Sequence, residues 1–335
     1  MKVDRKQLQD ALERVKPGLA NKELIEQSTS FAFVKNRVIT YNDEISISHP
    51  IEGFQVTGAI QADTLYKFLS KVKKDTIDIE IADNEILFAS GRAKAGIALK
   101  SEIKLPLLEL KDPDWKDLPE NFNKSLKFSM GACAKMSDDT VLDCINVKAE
   151  GILEASDSLC VAQCDLKEEI KVPNFLLPAT SAVEVVKLNP IQIAEGQGWI
   201  HFRTEDDTII SCRLSEGSFV SINPHIIVEG VRAVLPKTIN EILDRAMVFS
   251  KRDHVLLEKI DIIIANNRCK VQATSNYGWF EEEINMVWEH DEIEFSITPY
   301  LLKDILLETQ ECVIGKTALK FQGDGWVYVT ALKDK

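Results

Sequence analysis

The chain has 335 residues and a formal net charge of −13 at pH 7, with 45% hydrophobic and 28% charged side chains. This balance is typical of a folded globular protein and excludes disordered and fibrous classes, and the length allows two or three domains. No apolar run approaches the roughly 20 residues that a membrane-spanning helix needs, and the charged N-terminal segment does not resemble a secretory signal.

The first predicted elements are an amphipathic helix over residues 4–16 and a strand–turn–strand pattern over residues 31–51. The next segment, DTLYKFLSKVKKDT at residues 63–76, is predicted to form one helix. At about 100° per residue, its apolar side chains share one face, and its lysines gather on the opposite face. Solvation of a good helix former is the simpler interpretation of such a face. A binding surface is the alternative, and its lysines are Lys67, Lys71 and Lys74.

An internal repeat organises the chain. Residues 60–99, 175–214 and 295–332 each contain an extended lead-in, a helix and then alternating strands broken by a tight turn. The turns read DNE, GQG and GDG, and such turns are typical of hairpins. Strand–turn–strand patterns also precede each copy, over residues 31–51, 141–166 and 255–284.

A further helix precedes the first and third of these patterns, at residues 4–16 and 236–252. In the second of these helices, Ile239, Ile242, Leu243 and Ala246 are predicted to form an apolar stripe from which Arg245 faces away. The middle copy is thinner, because LKFSMGACAKMSDD at residues 126–139 indicates only a strand and two turns of helix, placed at 131–137. The sequence therefore predicts three similar α+β domains, each with two helices packed on antiparallel sheets. Proline-bearing, turn-rich segments place their limits at residues 1–112, 113–226 and 227–335.

Charge is distributed unevenly between these elements. The six predicted helices together carry more Lys and Arg than Asp and Glu, whereas the rest of the chain is strongly acidic. Basic helices on an acidic protein suit a phosphate backbone that is held loosely and without sequence preference.

No motif in the sequence assembles a catalytic or cofactor site. GDGWVY reads as a hairpin turn rather than a phosphate-binding loop, and the carboxylate pairs at residues 137–140 and 204–208 fall in predicted turns. The seven cysteines interrupt apolar runs, which predicts buried free thiols in a reducing compartment, and Cys160 and Cys164 are expected to pack in a core rather than to bind a metal. An enzyme whose residues converge only in three dimensions is the weaker alternative.

Four stretches resemble a known family, the bacterial DNA polymerase III beta subunit, which is the DNA sliding clamp. They are LSEGSF at 214–219, RAVLP at 232–236, ASDSLCVA at 155–162 and ITPYLLKDIL at 297–306. The threefold repeat extends the resemblance over nearly the whole chain. It implies a DNA-clamp fold and a non-catalytic processivity factor that needs no cofactor.

The resemblance also implies partners and sites. Two chains would close head to tail into a homodimeric ring around double-stranded DNA, in the cytoplasm at the nucleoid, and would bind peptides of the DNA polymerase and clamp loader. The implied DNA-facing residues are Arg14, Lys22, Lys67, Lys71, Lys74, Lys135, Lys187 and Arg245. The implied peptide-docking pocket is formed by Ile145, Ser156, Leu159, Phe219, Val220, Val234, Val329 and Ala331.

Four departures distinguish the chain from the family pattern. The first helix of the middle domain is expected to be reduced, and the C-terminus VYVTALKDK lacks the family's methionine–proline–methionine ending. Val220 stands where the family has proline, and Asp139 stands where it has a polar DNA contact. These departures indicate a divergent member, with a phage origin as one alternative. A clamp-like scaffold or decoy that binds peptides without encircling DNA is the competing function.

Overall fold

The computed structural model describes residues 1–108, 110, 112–134, 141–253 and 257–333. The described helices are α1 (Arg5–Val15), α2 (Ala62–Lys71), α3 (Phe122–Met130), α4 (Ala179–Leu188), α5 (Ile239–Ser250) and α6 (Pro299–Lys303). The strands are β1 (Lys2–Asp4), β2 (Ser30–Val34), β3 (Arg37–Tyr41), β4 (Ile45–Pro50), β5 (Gly58–Gln61), β6 (Thr76–Ala82), β7 (Glu85–Ser90), β8 (Ala93–Lys100), β9 (Lys116–Asp117), β10 (Cys144–Val147), β11 (Ile152–Ser156), β12 (Cys160–Asp165), β13 (Phe175–Pro178), β14 (Gln192–Gly196), β15 (Trp199–Arg203), β16 (Ile209–Arg213), β17 (Gly230–Val234), β18 (Ile260–Ala265), β19 (Arg268–Ser275), β20 (Gly278–Asn285), β21 (Ile293–Ile297), β22 (Glu311–Gly315), β23 (Ala318–Gly323) and β24 (Trp326–Ala331).

The chain folds into two compact units, and both combine helices with antiparallel strands, which confirms the predicted α+β class. Unit 1 consists of Met1–Lys124 and Ile170–Ser215, and unit 2 consists of Ser125–Glu169 and Glu216–Lys335. The predicted middle domain, residues 113–226, therefore contributes to both units. The division into three domains stays a prediction.

Unit 1 is built on one sheet of 12 strands, in the order β1-β6-β7-β8-β5-β2-β3-β4-β16-β15-β14-β9. Helices α1 and α2 pack on it and on each other. The spacing of Leu8, Leu12 and Val15 places three fully buried side chains on one face of α1. The carboxylate of Asp4 begins this helix by accepting a 2.9 Å bond from the Gln7 amide.

Unit 2 contains two sheets. One has its strands in the order β10-β11-β12-β24-β23-β22-β17, and the other has the order β20-β19-β18-β21. Helix α5 packs on β19 and β20 of the smaller sheet through Ile242, Leu243 and Ala246, which are all buried. The apolar stripe that the sequence predicts for α5 is therefore confirmed.

The repeated hairpins lie where the tight turns predict them. The three turns connect β6 to β7, β14 to β15 and β23 to β24. Two of them contain a glycine with positive φ, Gly198 at 71° and Gly325 at 74°, a conformation that other residues adopt at a cost.

The prediction for the middle copy was wrong. LKFS, predicted as a strand, lies in helix α3, and residues 131–134 after it form turns rather than the predicted helix at 131–137, of which 135–137 lie outside the described residues. Phe122, Leu126 and Ser129 recur at helical spacing and are all buried, which defines one buried face of the helix. Helix α3 has nine residues, whereas α1 has 11 and α5 has 12.

All seven cysteines are buried and free, as the sequence predicts. Among the described residues, no three His, Cys, Asp or Glu side chains converge in a way that could hold a metal ion. In that same part of the chain, every helix is too short or too polar to cross a bilayer.

Candidate nucleic-acid and peptide-binding surfaces

The lysines of α2 do not share one helical face to the extent predicted. The helix ends at Lys71, and Val72 is already extended at φ −74° and ψ 130°. The chain must be extended there because β6 pairs with β1 from Thr76 onward and the Asp75 carbonyl accepts a 2.7 Å bond from the Arg5 amide. Lys74 therefore lies outside the helix, and its side chain lies over Gly91 in the turn between β7 and β8.

Lys67 and Lys71 remain on the exposed side of α2. The ammonium of Lys67 lies 2.8 Å from the Asp63 carboxylate, one helical turn earlier. Exposed pairs of this spacing contribute only about 0.3–0.5 kcal/mol, so a phosphate can compete for the lysine. Lys71 has no ion-pair partner within the described part of the chain.

Arg14, at the C-terminal end of α1, is held by a carboxylate of its own unit. Its guanidinium lies 2.7 Å from the Asp206 carboxylate in the turn between β15 and β16. The hydroxyls of Thr204 and Thr208 also donate to Asp206, and Thr208 is bonded to His49 at 2.7 Å. Partial burial opposes ionisation of Asp206 most strongly, but the two hydroxyls and Arg14 outweigh it, so the pKa of the carboxyl lies below its ordinary value.

The remaining predicted DNA-contacting residues lie in different kinds of segment. Lys22 is exposed in the segment that follows α1. Lys187 lies in the last turn of α4, 2.8 Å from Glu184. Lys135 and Asp139 lie outside the described residues.

Arg245 of α5 faces away from the buried stripe, as predicted, but it contacts its own sheet. Its Nε and Nη2 donate to the two carboxylate oxygens of Glu282 on β20 at 2.8 and 2.7 Å. This two-point geometry is the strongest arrangement that an arginine and a carboxylate adopt, and it raises the pKa of Arg245 above its ordinary value. A phosphate would have to displace Glu282 to reach this guanidinium.

Several predicted pocket residues share one face of the larger sheet of unit 2. Ser156 pairs with Val161, Val161 pairs with Val329, and directly opposed strand residues point to the same side. The amide of Ala331 donates to the carbonyl of Leu159 at 2.7 Å, which continues this alignment. We call this surface the docking face, defined by Ser156, Leu159, Val161, Val329 and Ala331.

The segment that leads into β17 lies on the docking face. Residues 219–229, here called the connector, pack Phe219, Ile222, Ile226 and Val228 against Val161, Val329 and Ala318. Phe219 is half-buried in this cluster, whereas Val220 points to solvent with 68% of its surface exposed.

Two predicted pocket residues lie elsewhere. Asn146 pairs with Glu154, which lies on the same side of the sheet as Ser156 of the docking face. Neighbouring residues of a strand point to opposite sides, so Ile145 points away from the docking face, and it is fully buried. Val234 lies on β17, three strands away from β24, and is 62% exposed. It lines a separate groove of about 840 Å³ together with Arg232, Lys237, Val287, Trp288 and Lys320.

Among the described strands, β8 and β20 each have a free edge. On β8, only Leu99 and Lys100 are paired with β5, so the outward backbone groups of Lys94, Gly96 and Ala98 have no strand partner among the described residues. On β20, which ends its sheet, the outward positions are Trp279, Glu281, Glu283 and Asn285. The β8 edge is basic and the β20 edge is acidic. Sequence reasoning missed both edges, because pairing partners cannot be read from one strand.

No family model and no curated protein sequence matches this chain. Its fold, however, is similar to that of solved clamp structures along its whole length. The DNA polymerase III subunit beta from Pseudomonas aeruginosa has a TM-score of 0.86 and 18% identity, with 100% of both chains covered. The DNA polymerase sliding clamp from Bacillus subtilis has a TM-score of 0.84 and 16% identity, covering 100% of this chain and 98% of that one.

A third structure, a sliding clamp from Bartonella birtlesii bound to griselimycin, has a TM-score of 0.87 and 15% identity, covering 100% of this chain and 99% of that one. These similarities define the class of fold, which is that of the DNA clamps. More particularly, the chain has the fold of the bacterial DNA polymerase III beta subunit sliding clamps. The expectation drawn from the sequence motifs is confirmed for the fold.

Proposed function

We propose that this chain is a divergent DNA sliding clamp, a non-catalytic processivity factor of the DNA polymerase III beta subunit type. It would act in the cytoplasm at the nucleoid, with three domains over residues 1–112, 113–226 and 227–335. The single observation that carries the proposal is the fold similarity to such clamps over the full length of both chains. A fold shared over only one domain would not favour a ring-forming protein in this way.

Ring closure would join the β8 edge of one copy to the β20 edge of the next. The contact is heterologous, because two different surfaces meet, and two such contacts can close a ring of two chains. Arg92, Lys94 and Lys100 lie on or beside the β8 edge, and Glu281 and Glu283 lie on the β20 edge. Opposite charges would fix the partner and the direction of pairing, and the joined strands would cover edges that otherwise invite aggregation.

DNA would be held by topology rather than by tight contacts. The exposed lysines Lys22, Lys67, Lys71 and Lys74 would touch phosphates through screened interactions, which carry no sequence information. The negative charge of the whole chain would repel DNA from other surfaces. Such a ring slides freely but stays on DNA that has no ends.

Retention on circular DNA tests the proposal. The protein is expected to have the mass of a dimer in solution and, once loaded on nicked circular DNA, to remain bound until a restriction enzyme linearises the circle. Ala98→Pro is expected to give a monomer that is not retained, because proline removes an outward N–H from the free edge. Ala98→Ser, which keeps the N–H, is the matched control and should behave as the wild type. Equal retention on circular and linear DNA would contradict the proposal.

One observation favours the competing function, a clamp-like scaffold that binds peptides without encircling DNA. Arg14, Lys67, Lys187 and Arg245 all lie in ion pairs with carboxylates of the same unit. A dimer that binds peptides and shows no dependence on DNA topology would select this function instead.

The second part of the proposal is that replication partners, such as polymerase and clamp-loader peptides, bind at the docking face. Leu159 and Val329 would supply apolar contacts, and the half-buried Ala331 would leave room beside them. Griselimycin, which is bound in two of the similar clamps, is a suitable probe. Leu159→Asp is expected to lower its affinity at least tenfold while the dimer persists, since a carboxylate would be desolvated on binding. An unchanged affinity would remove the docking face from the proposal.

A further inference from the structure

We infer that the connector is a cover over the docking face and must move aside before a partner peptide can bind there. This inference rests on the proposed docking function and adds a regulatory step to it. The cover is a segment of the same chain, residues 219–229, rather than a second protein.

The connector fills the apolar part of the docking face. Ile222 is only 3% exposed and packs with Val161 and Val329, which are 9% and 5% exposed. Val329 is one of the side chains that a docked peptide would have to contact. The surface that would bind the peptide is therefore occupied by the connector's own isoleucine.

The sheet provides space for this contact. Ala331, Ala318 and Gly315 follow one another across β24, β23 and β22, so their small side chains leave a shallow depression. A Cβ atom on Gly315 would lie 2.6 Å from Cγ1 of Val228, closer than real side-chain contacts. Because Gly315 has no side chain, Val228 can pack directly against β22, and the connector fits the sheet closely.

Side-chain contacts, rather than strand pairing, hold the connector down. Within residues 219–229, the described secondary structure is one short 3-10 turn at Asn223–His225, closed by a 2.8 Å bond from the His225 amide to the Ile222 carbonyl. Among the described residues, one side-chain bond joins the connector to the sheet, from Gln163 Nε2 to Asn223 Oδ1, and it is long at 3.5 Å. A segment with few hydrogen bonds to its support can separate from it without breaking a ladder.

A cover of this kind lowers apparent affinity in proportion to the time it spends closed. The apparent dissociation constant equals the intrinsic one divided by the fraction of open molecules. Weakening the closed state must therefore tighten binding, even though no contact to the peptide is added. This opposite sign separates a cover from a wall of the pocket, whose loss would weaken binding.

The first test compares two connector variants by calorimetric titration with griselimycin. Ile222→Ser combined with Ile226→Ser removes apolar contacts of the closed state and is expected to tighten binding about tenfold, which corresponds to a closed fraction of about nine-tenths in the wild type. Ile227→Ser is the matched control, because Ile227 is 74% exposed and lies outside the apolar cluster. It is expected to leave the affinity unchanged. Weaker or equal binding by the double variant would overturn the inference.

The second test reports movement directly and does not depend on weakening the connector. In Ile222→Cys, the new thiol is expected to react slowly with a maleimide in the free protein and at least fivefold faster with saturating griselimycin. The seven native cysteines are buried and give a low background. Ile227→Cys, the control, should react rapidly in both states. Slower labelling of Ile222→Cys in the complex would mean that the connector stays in place, and the inference would fail.

The outcomes distinguish this inference from the proposed docking function. Equal griselimycin affinity in wild type and the double variant, with binding lost in Leu159→Asp, would keep the docking function and remove only the cover. Binding of griselimycin by the double variant but not by the wild type would support both the docking function and the cover. Absence of binding in every variant would remove the docking function and the cover with it.

Discussion

The helices of the two units carry similar amino acids in different electrostatic settings. In unit 1, Lys67 has only a neighbouring side chain of its own helix as a partner, and Lys71 has none within the described residues. In unit 2, Arg245 is bound by both oxygens of Glu282, and its helical neighbours Glu241 and Asp244 are exposed acids. Helix α2 of unit 1 thus presents available cations, whereas α5 of unit 2 presents a cation that is already neutralised.

The difference teaches that a repeated backbone does not imply a repeated charge pattern. The hairpins recur in all three copies of the repeat, but α5 packs on β20, whose glutamates also form the acidic free edge. Glu282 of that strand faces α5, and the carboxylates of Glu281 and Glu283 lie within ion-pair distance of Lys270 and Arg268 on β19. We therefore expect the proposed DNA contact to depend on unit 1 more than on unit 2.

Reversing the charge of unit 1 should have the largest effect. The triple change Lys67→Glu, Lys71→Glu and Lys74→Glu is expected to shorten residence on nicked circular DNA at least tenfold, because three favourable phosphate contacts become repulsive. The dependence on salt should also weaken. Residence is measured by gel filtration of loaded circles at several salt concentrations.

The matched control changes the net charge by the same amount, but at positions outside the helices. Lys2, Lys35 and Lys171 are exposed lysines on strands or loops of unit 1, and their triple change to Glu should leave residence within about twofold of wild type. Equal losses in both triples would mean that net charge alone matters. The comparison between the helix surfaces would then be wrong.

Acidification should have the next largest effect, and it should lower the stability of unit 1 more than that of unit 2. His201, in unit 1, is buried beside Ser211 at 2.7 Å, and burial lowers its pKa to about 4. The folded state therefore favours the neutral imidazole. The contribution of His201 to the free energy of unfolding is complete above pH ~6.5 and is lost as the pH falls through about 4. The described histidines of unit 2, His225 and His290, are exposed.

We expect the free energy of unfolding to fall by up to about 3 kcal/mol between pH 6.5 and 4, through this one group. Urea unfolding at pH 7 and pH 4.5 measures it. In His201→Asn, which can still bond the Ser211 hydroxyl, the fall should be markedly smaller. A pH dependence that this variant leaves unchanged would assign the acid sensitivity to other groups.

Local signals were sufficient to predict much of the fold. Helix α1 has an N-cap, an apolar stripe and a nearby proline, and the glycine turns mark the hairpins. The end of α2 was missed because it depends on pairing between β6 and β1, which the helix sequence does not contain. Helix α3 was missed because its buried residues fill barely two turns, too few for a periodic pattern to be distinguished from a strand.

The candidate site was less predictable than the fold. The ion pairs Arg14–Asp206 and Arg245–Glu282 join residues far apart in the chain, and no local pattern indicates them. The position of the connector on the docking face depends equally on tertiary packing. The side of the sheet that Ile145 faces depends on pairing as well, because only the register of β10 against β11 relates Asn146 to the docking face.

Removing the ion-pair partner of Arg14 should test, within unit 1, what an engaged cation contributes. The expected effect is smaller than that of the pH change. Asp206→Asn removes the charge that holds Arg14 and weakens the bonds from Thr204 and Thr208, so we expect a loss of about 1 kcal/mol of unfolding free energy at pH 7. In the wild type, this contribution is present above pH ~4 and disappears as the pH falls through the lowered pKa of Asp206. Urea unfolding at pH 7 and pH 3 measures both effects. A variant as stable as the wild type at pH 7 would show that the network contributes nothing.

The smallest expected effect comes from making unit 2 resemble unit 1. Glu282→Gln keeps the shape of the side chain but removes its charge, so Arg245 becomes available to a phosphate. Residence on circular DNA should lengthen by less than about threefold at low salt and return to the wild-type value at high salt, as one added contact implies. Glu80→Gln, an equal charge change at an exposed position of β6, is the control and should have no effect. A shortened residence in Glu282→Gln alone would mean that the pair with Glu282 holds Arg245 in its productive position, and the contrast between the two units would have to be reversed.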